Sequence, residues 1–528
     1  MVRGVPSRHP SRSSSFSAGA LGAGAASGFL VALALVPQGA GWCAFGALVP
    51  LLAVLDGAPP LPVALLAGFG CGLTLFLVGG AWVPFAGSET VGLVATYLAW
   101  APVLALPIAG FALAAAWLRR LGRTTFLVAV PALWVTSELL RTSSELGSQF
   151  HLGYGLADHA AWIQLASLGG VHLVSLWIAA VNAALVGVLA VRLRAAPALV
   201  ALLVLPMAYG AVASRTAGQP RGRRIAVAGV QPAIAAHERH VPALFDNHLR
   251  ELLALSEHIL PDRPDLLVWP ESAFERPSPG TGAPFLGAVA HHFATPLLSG
   301  VWRFAPGPPP SLRNSSILAT PDGAVRVAAD KVNPIWLYEA APPSAFARRL
   351  ARAGFWPGFF GRGEKPEVLL LPGTPQAVRL GVLVCVDATY PSLARDLRRR
   401  GAELLVTIAN EADSGRWTRG LQARVARLRA VENGVPLVRV ANTGASEWVD
   451  ANGRVIASLE PDAPQARTES LELGGEAPLY TRAGETPTAL VAIATPGFLA
   501  ARGLARNKRR TRPAHVSNRF RPRKENHL

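Results

Sequence analysis

Three residues in the C-terminal half of the chain stand where apolar runs give way to polar ones. Glu271 closes "DLLVWPE", Lys331 follows "VRVAAD", and Cys385 ends "AVRLGVLVC", shortly before Asp387 and Pro391. An acid, a cation and a thiol, each just past a strand, make a nucleophile set. The thiolate is the attacking species, so a base must take the proton, and partial burial can raise a carboxyl far enough to do so. An ammonium close by stabilises the thiolate and then the oxyanion of a tetrahedral intermediate. Lysines are few here beside many arginines, and a compact, tunable ammonium suits that role better than a guanidinium. The spacing alone reads equally well as a small buried cysteine in a core strand.

The segments that must position these groups lie within 220–480, where charges occur throughout. "RIAVAGVQ", "DLLVWP", "PLLSGV", "AVRLGVLV", "ELLVTIA" and "VPLVRVA" read as strands buried on both faces. Helical patterns run over about 239–260, 282–293, 391–400 and 416–433. This alternation predicts a layered α/β or α+β domain.

The remainder is of another kind. The chain has 528 residues, a mean hydropathy of +0.32 and 16% charged residues. It is too apolar for an ordinary soluble protein and too long for one domain. Seven apolar stretches precede the globular part, at about 18–37, 41–56, 62–83, 91–117, 124–141, 162–191 and 196–213. Most approach the roughly 20 residues that span about 30 Å of hydrocarbon, the second and seventh being short. An eighth, about 486–501, is short and carries Pro496. The first follows Arg3, Arg8 and Arg12 without a clean small-x-small cleavage site, so it reads as a retained span rather than a secretory signal.

Positive charge orients the bundle. With the N-terminal tail inside, the loops bearing Arg119, Arg120 and Arg123, and Arg192 and Arg194, fall inside. Those near Glu89 and over 142–161 fall outside, as does the globular segment, and the eighth span returns the tail from Arg502 onward to the cytoplasm. Of the three cysteines, Cys43 and Cys71 lie in apolar runs, which leaves Cys385 as the one facing an oxidising compartment, where an idle thiol is a liability. No CxxC pair and no HExxH occur, so neither a zinc motif nor a disulfide framework is indicated. The net charge of +17 sits largely in two tails and short loops, which argues against nucleic-acid binding.

The order and context of "WPES" (269–272), "DK" (330–331) and "CVD" (385–387) resemble the Glu-Lys-Cys motifs of the nitrilase, or carbon–nitrogen hydrolase, superfamily. "LVTIANEADSGRW" and "ARLRAVENGVPLVRVANTG" resemble its downstream segments, within which Asn410 and Trp417 read as structural. With apolar spans ahead and one behind, the resemblance narrows to the apolipoprotein N-acyltransferase family and covers nearly the whole chain. It implies a polytopic α-helical membrane bundle plus an α/β nitrilase-like αββα sandwich domain. The parts would be a basic cytoplasmic tail (1–17), a bundle of about seven helices (18–213), an extracytoplasmic catalytic domain (220–482), a C-terminal membrane helix (486–501) and a second basic cytoplasmic tail (502–528). The protein would be a multi-pass protein of a bacterial inner membrane.

By that resemblance Glu271 is the general base, Cys385 the acylated nucleophile and Lys331 the oxyanion stabiliser. Glu339, Asp387 and Trp336 are the expected substrate-binding or supporting residues. Asp387 stands where the family usually has Glu, Val386 where it has an aromatic, and "KVNPIWLYE" departs from the usual lysine segment, which bears on substrate fit. The implied reaction moves a fatty acyl chain from a phospholipid, through a Cys385 thioester, to the amine of the diacylglyceryl-cysteine of an apolipoprotein, without cofactor or metal. The implied partners are phospholipid donor, diacylated apolipoprotein acceptor and membrane lipids, with no nucleic acid, and the protein a monomer.

Residues 333–363 interleave Trp336, Phe346, Phe355, Trp356, Phe359 and Phe360 with Arg348, Arg349, Arg352 and Arg362, the mixture an interfacial segment needs, and read as a lid on the outer leaflet or else an ordinary insertion. Two rival functions stay open on these grounds: a membrane-anchored nitrilase-like amidase, and a degenerate, non-catalytic lipoprotein-binding membrane protein.

Overall fold

The computed structural model describes residues 12–81, 83, 90–143, 149–191, 196–216, 222–239, 241–273, 282–307, 310–335, 339–340, 349, 360–373, 377–415 and 419–510. Residues 1–11 and 511–528 of the two tails, Trp336, Trp417 and most of the aromatic–arginine segment (Phe346, Arg348, Arg352, Phe355, Trp356, Phe359) lie outside the described residues; the rest of each tail, 12–17 and 502–510, is helical.

The apolar stretches fold as helices α1 (Arg12–Leu35), α2 (Val49–Asp56), α3 (Leu61–Gly79), α4 (Thr90–Leu121), α5 (Arg123–Ser143), α6 (Ala166–Val191) and α7 (Ala196–Thr216). The last described helix, Thr486–Arg510, returns to pack on α5. Among the described residues six helices are long and apolar enough to cross a membrane, five before the globular part and this one after it. Small residues let them approach closely. A Cβ on Gly24 would sit 1.9 Å from Ala67 O, and one on Gly28 2.1 Å from Cys71 O, so α1 and α3 touch backbone to backbone through a Gly-xxx-Gly pair. The stretch 41–56 is a 3₁₀ turn (Gly41–Phe45) followed by the eight residues of α2.

The bundle has two distinct ends. At one, Asp56 at the foot of α2 meets Arg119 (2.9 Å) and Arg123 (2.8 Å) from the α4–α5 junction. At the other, the segment after α1 meets the globular domain: Arg424 donates to Leu35 O and Pro37 O, both at 2.7 Å.

The globular domain stacks two six-stranded sheets. The strands are β1 (Arg224–Gln231), β2 (Leu266–Val268), β3 (Leu297–Ala305), β4 (Ser311–Ala319), β5 (Val325–Asp330), β6 (Val368–Leu371), β7 (Val378–Val384), β8 (Leu404–Ala409), β9 (Leu437–Ala441), β10 (Glu447–Val449), β11 (Val455–Ser458) and β12 (Gln465–Glu472). Their orders are β12-β1-β2-β3-β4-β5 and β11-β10-β9-β8-β7-β6, with β1–β3 and β7–β9 parallel at the centre. Alternation along each central strand serves two layers at once. In β1 (Arg224–Gln231), Ile225 and Val227 point into the inter-sheet core with Val382, Val384 and Val406, while Ala228 and Val230 meet the outer helices. Helices α8 (Phe245–Ile259) and α9 (Gly282–His292) cover the first sheet through Leu252, Leu286 and Phe293. Helices α10 (Pro391–Arg399) and α11 (Leu421–Asn433) cover the second. This is the αββα sandwich the motifs imply.

The second helix layer is also the seam with the bundle. Leu393, Leu397, Val425 and Leu428 share one core with Leu152, Tyr154 and Val171. Helix α11 is therefore buried on every side, its arginines included. Arg424 pairs with Asp158 (2.9 Å) and Arg427 with both Asp158 (3.0 Å) and Glu447 (2.9 Å). Buried charges persist only when matched in this way.

Candidate active site

The central strand β2 (Leu266–Val268) delivers Glu271 just past its C-terminal end through a tightly held turn. Trp269 is fully buried, its indole donating to Ser256 Oγ at 2.9 Å, and the Pro270 carbonyl accepts from Gly300 N at 3.1 Å. A Cβ on Gly300 would lie 2.4 Å from Pro270 O and 2.6 Å from Glu271 Cα, so only glycine lets β3 (Leu297–Ala305) run this close.

Lys331 leaves the end of β5 (Val325–Asp330), its amide donating to Asn314 O (2.8 Å) on β4 (Ser311–Ala319). The preceding Asp330 is gripped by Arg303 and Ser315. The lysine side chain turns inward, 2% exposed, and reaches Glu271 Oε1 at 2.9 Å and Glu339 Oε1 at 2.7 Å. The other oxygen of Glu339 accepts from Ile335 N (2.7 Å), and Asn314 Nδ2 donates to Glu271 (2.7 Å). Asp387 grips the same segment from below: Oδ2 accepts from Val332 N (2.9 Å) and Oδ1 from Asn333 N (2.8 Å). The shorter carboxylate therefore fixes the residues directly after the lysine.

Cys385 follows β7 (Val378–Val384) at φ +53°, a left-handed conformation that a side chain adopts at a strain cost of about 1–3 kcal/mol. The chain turns there into the 3₁₀ segment Cys385–Thr389, which ends the strand and fixes the thiol at its tip. Tyr154, from the bundle, supports this turn by donating to Thr389 O at 3.3 Å. The sulfur lies 3.7 Å from Gln422 Oε1 at the start of α11.

The electrostatics divide the roles. Burial pushes the Cys385 thiol up, the Glu271 charge adds to this, and Lys331 only partly opposes it, so the sulfur rests as a thiol. Burial also acts to raise Glu271, but Lys331, Cys385 and Asn314 outweigh it and leave this carboxyl below its usual range. Partial burial by itself would raise this base, the expectation from sequence, and these three partners reverse it. Glu339 is raised instead, through burial and the neighbouring Glu271 charge against the pull of Lys331. Lys331 is held well above its ordinary value: burial opposes its charge, and Cys385, Glu271 and Glu339 more than compensate. Burial lifts Asp387 to about 6 despite the hydrogen bonds from Val332 and Asn333.

The arrangement suits acyl chemistry. An ionised carboxylate stands ready beside a protonated, conformationally strained thiol. The ammonium has three hydrogens, of which two go to carboxylates. A metal ion has no place among these groups, because the ammonium fills the space between the two acids. Asn314 and Gln422 complete the site and escape sequence reasoning, since each lies inside a regular element with no local signature.

Residues 27–184 match the apolipoprotein N-acyltransferase N-terminal domain, and 224–468 match the carbon-nitrogen hydrolase family. The apolipoprotein N-acyltransferase of Allorhizobium ampelinum is 30% identical over 487 residues, covering 83% of this chain and 87% of its own. That of Geobacter metallireducens is 30% identical over 489 residues, covering 87% and 90%. That of Chlamydia pneumoniae is 27% identical over 455 residues, covering 76% and 82%.

Proposed function

The chain belongs to the apolipoprotein N-acyltransferase family, and from that premise we propose that it acylates lipoproteins in two half-reactions through Cys385. The observation that carries the reading is the Lys331 ammonium shared by Glu271 and Glu339 beside a buried thiol, on a turn seated against the membrane bundle.

In the first half-reaction Glu271 takes the thiol proton as sulfur attacks an ester carbonyl of a phospholipid. The remaining ammonium hydrogen of Lys331 is available to the oxyanion. Collapse breaks the acyl C–O bond, the glycerol oxygen takes the proton from Glu271, and a lysophospholipid leaves a thioester on Cys385. In the second, the amine of a diacylglyceryl-cysteine attacks the thioester, Glu271 accepts its proton, and the thiol is restored as the amide forms. Glu339 holds Lys331 in place, and Asp387 holds the segment that follows.

Both substrates carry acyl chains, and the site's contact with the bundle supports delivery from the bilayer. The bundle end at Asp56, Arg119 and Arg123 is opposite the domain, and by the positive-inside tendency it lies in the cytoplasm. The domain and its triad then face the extracytoplasmic side of the bacterial inner membrane, with both termini inside.

Reconstitution in phospholipid vesicles with a diacylated lipopeptide tests the proposal. The expected product is the lipopeptide heavier by one acyl chain, formed with a matching amount of lysophospholipid and absent with Cys385→Ala. Free fatty acid without acylated peptide would identify a hydrolase instead.

A further inference from the structure

Beneath the nucleophile turn, where α5, the Leu152–Leu156 turn and α6 meet, lies a second polar cluster that the acyl chemistry does not use. Glu138, His151 and His172 are each fully buried, and one donor atom from each lies within 4.8 Å of the others.

Their hydrogen bonds fix which atoms face inward. Glu138 Oε1 accepts from Trp134 Nε1 (2.9 Å) and Leu152 N (2.8 Å), which leaves Oε2 without a partner. The single hydroxyl hydrogen of Thr142 goes to Glu138 O at 3.0 Å. Thr142 Oγ1 also lies 3.1 Å from His151 Nε2; in the tautomer with its hydrogen on Nε2 the ring donates to Thr142 and leaves a bare lone pair on Nδ1. That lone pair faces Glu138 Oε2 at 3.6 Å. Two acceptors oppose each other there, too far apart for a hydrogen bond. The separation is close to the roughly 3.4 Å between two ligands of a tetrahedral ion with bonds of about 2.0–2.1 Å. The His172 ring stands 4.7 Å from that of His151, and neither of its nitrogens has a hydrogen-bond partner. Its Nδ1 is 3.5 Å from Glu485 Oε1, which can orient the ring as a carboxylate orients a ligating histidine.

Charge does not oppose a cation here. Arg429 is paired with Glu432 at 2.9 Å, and Arg141 donates to Phe150 O at 3.2 Å. The carboxylates Glu138, Glu432 and Glu485 match the guanidiniums Arg141, Arg395 and Arg429 in number, so no excess of fixed positive charge stands against a cation.

We propose that Glu138, His151 and His172 form a structural site for a divalent transition-metal ion, zinc by the character of its ligands. Two imidazoles and one carboxylate oxygen are a borderline donor set that suits zinc above calcium or magnesium. The ion ties α5 to α6 across the turn that carries Tyr154, and so braces the bundle beneath Thr389 and the nucleophile segment. The ligands are scattered along the chain on two helices and a turn, so no sequence motif marks them.

The test uses the full-length protein, purified in detergent with a histidine-free tag and no chelator. Elemental analysis by mass spectrometry should find about one zinc per chain, undiminished in Cys385→Ala and reduced at least tenfold in His151→Gln and in His172→Gln. The zinc absorption edge should show two imidazoles and oxygen, without sulfur. Protein that carries less than about a tenth of an equivalent and takes up none from micromolar zinc overturns the proposal. So does zinc that persists in the double glutamine variant, or that shows a sulfur ligand. Should the glutamine variants fail to fold, the wild-type content and edge spectrum still decide.

Discussion

Lys331 Nζ lies 2.9 Å from Glu271 Oε1, both groups almost wholly buried, so the base and the oxyanion donor of the site are one ion pair. Removing either partner disables both functions and leaves an unmatched buried charge. Lys331→Met should lower the acyl-transfer rate by about 10²–10³-fold, the usual cost of an oxyanion donor, and Glu271→Gln by about 10²–10⁴-fold, that of a general base. Because the two act as a unit, the double variant should be little worse than the poorer single one. Single-turnover rates check this, and multiplied losses would contradict it.

The acid side of the pH profile should carry an inflection from Asp387 near 6, beside any contribution of the raised Glu339 that touches Lys331. Glu271 sits below its usual range and stays ionised well into acid, whereas Asp387 is lifted to about 6 by burial. Below that pH Asp387 is neutral and one oxygen becomes a hydroxyl, a much weaker acceptor for the backbone amide of Val332 or Asn333 than the carboxylate oxygen it replaces. The sign follows: kcat falls as pH drops through about 6, because the segment holding Lys331 loosens. Asp387→Asn should be slower at neutral pH and should lack this inflection. An unchanged inflection in the variant would assign it elsewhere.

Gly300→Ala should damage the site from a distance. The added methyl would meet Pro270 O at 2.4 Å, and relief requires moving the Glu271 turn. A 1 Å misplacement of a catalytic group costs on the order of 100-fold. The expected result is a loss of kcat of that order with KM for the lipopeptide little changed. Full activity would show that the turn tolerates the shift.

The seam between bundle and domain is predicted to be strongly stabilising. Arg424 Nε reaches Asp158 at 2.9 Å and its other nitrogens reach the end of α1, with the arginine side chain 1% exposed. Arg424→Ala leaves Asp158 with Arg427 as its one arginine and the Leu35 and Pro37 carbonyls without this donor, at a cost of about 1–3 kcal/mol. Thermal unfolding in detergent measures it, and a double cycle with Asp158→Asn should recover part of the loss.

Much of this molecule is legible in its sequence, and the parts that are not share one cause. "RIAVAGVQ", "AVRLGVLV", "ELLVTIA" and "VPLVRVA" mark β1, β7, β8 and β9, because central parallel strands are continuously apolar. Edge strands β6, β11 and β12 carry exposed or mixed faces and give no such signal. The chemical types of Glu271, Lys331 and Cys385 stand out at strand ends, whereas Asn314 and Gln422 acquire meaning only from what folding places opposite them. Helix α11 shows the same limit. "LQARVARLRAVEN" looks like a solvated charged helix, yet it is buried throughout because the bundle supplies partners for its arginines. Contacts between segments hundreds of residues apart are invisible to any local pattern.

The central claim is that Cys385 carries the acyl chain between two lipid substrates. Incubating the protein in vesicles of a phospholipid with a labelled acyl chain, without acceptor, tests it most directly. The account predicts one labelled chain on the peptide containing Cys385, released by neutral hydroxylamine, absent in Cys385→Ala, and discharged on addition of a diacylated lipopeptide as the lipopeptide gains the label. Label transferred to the lipopeptide by Cys385→Ala protein, or a Cys385 adduct that the lipopeptide cannot discharge, would contradict it.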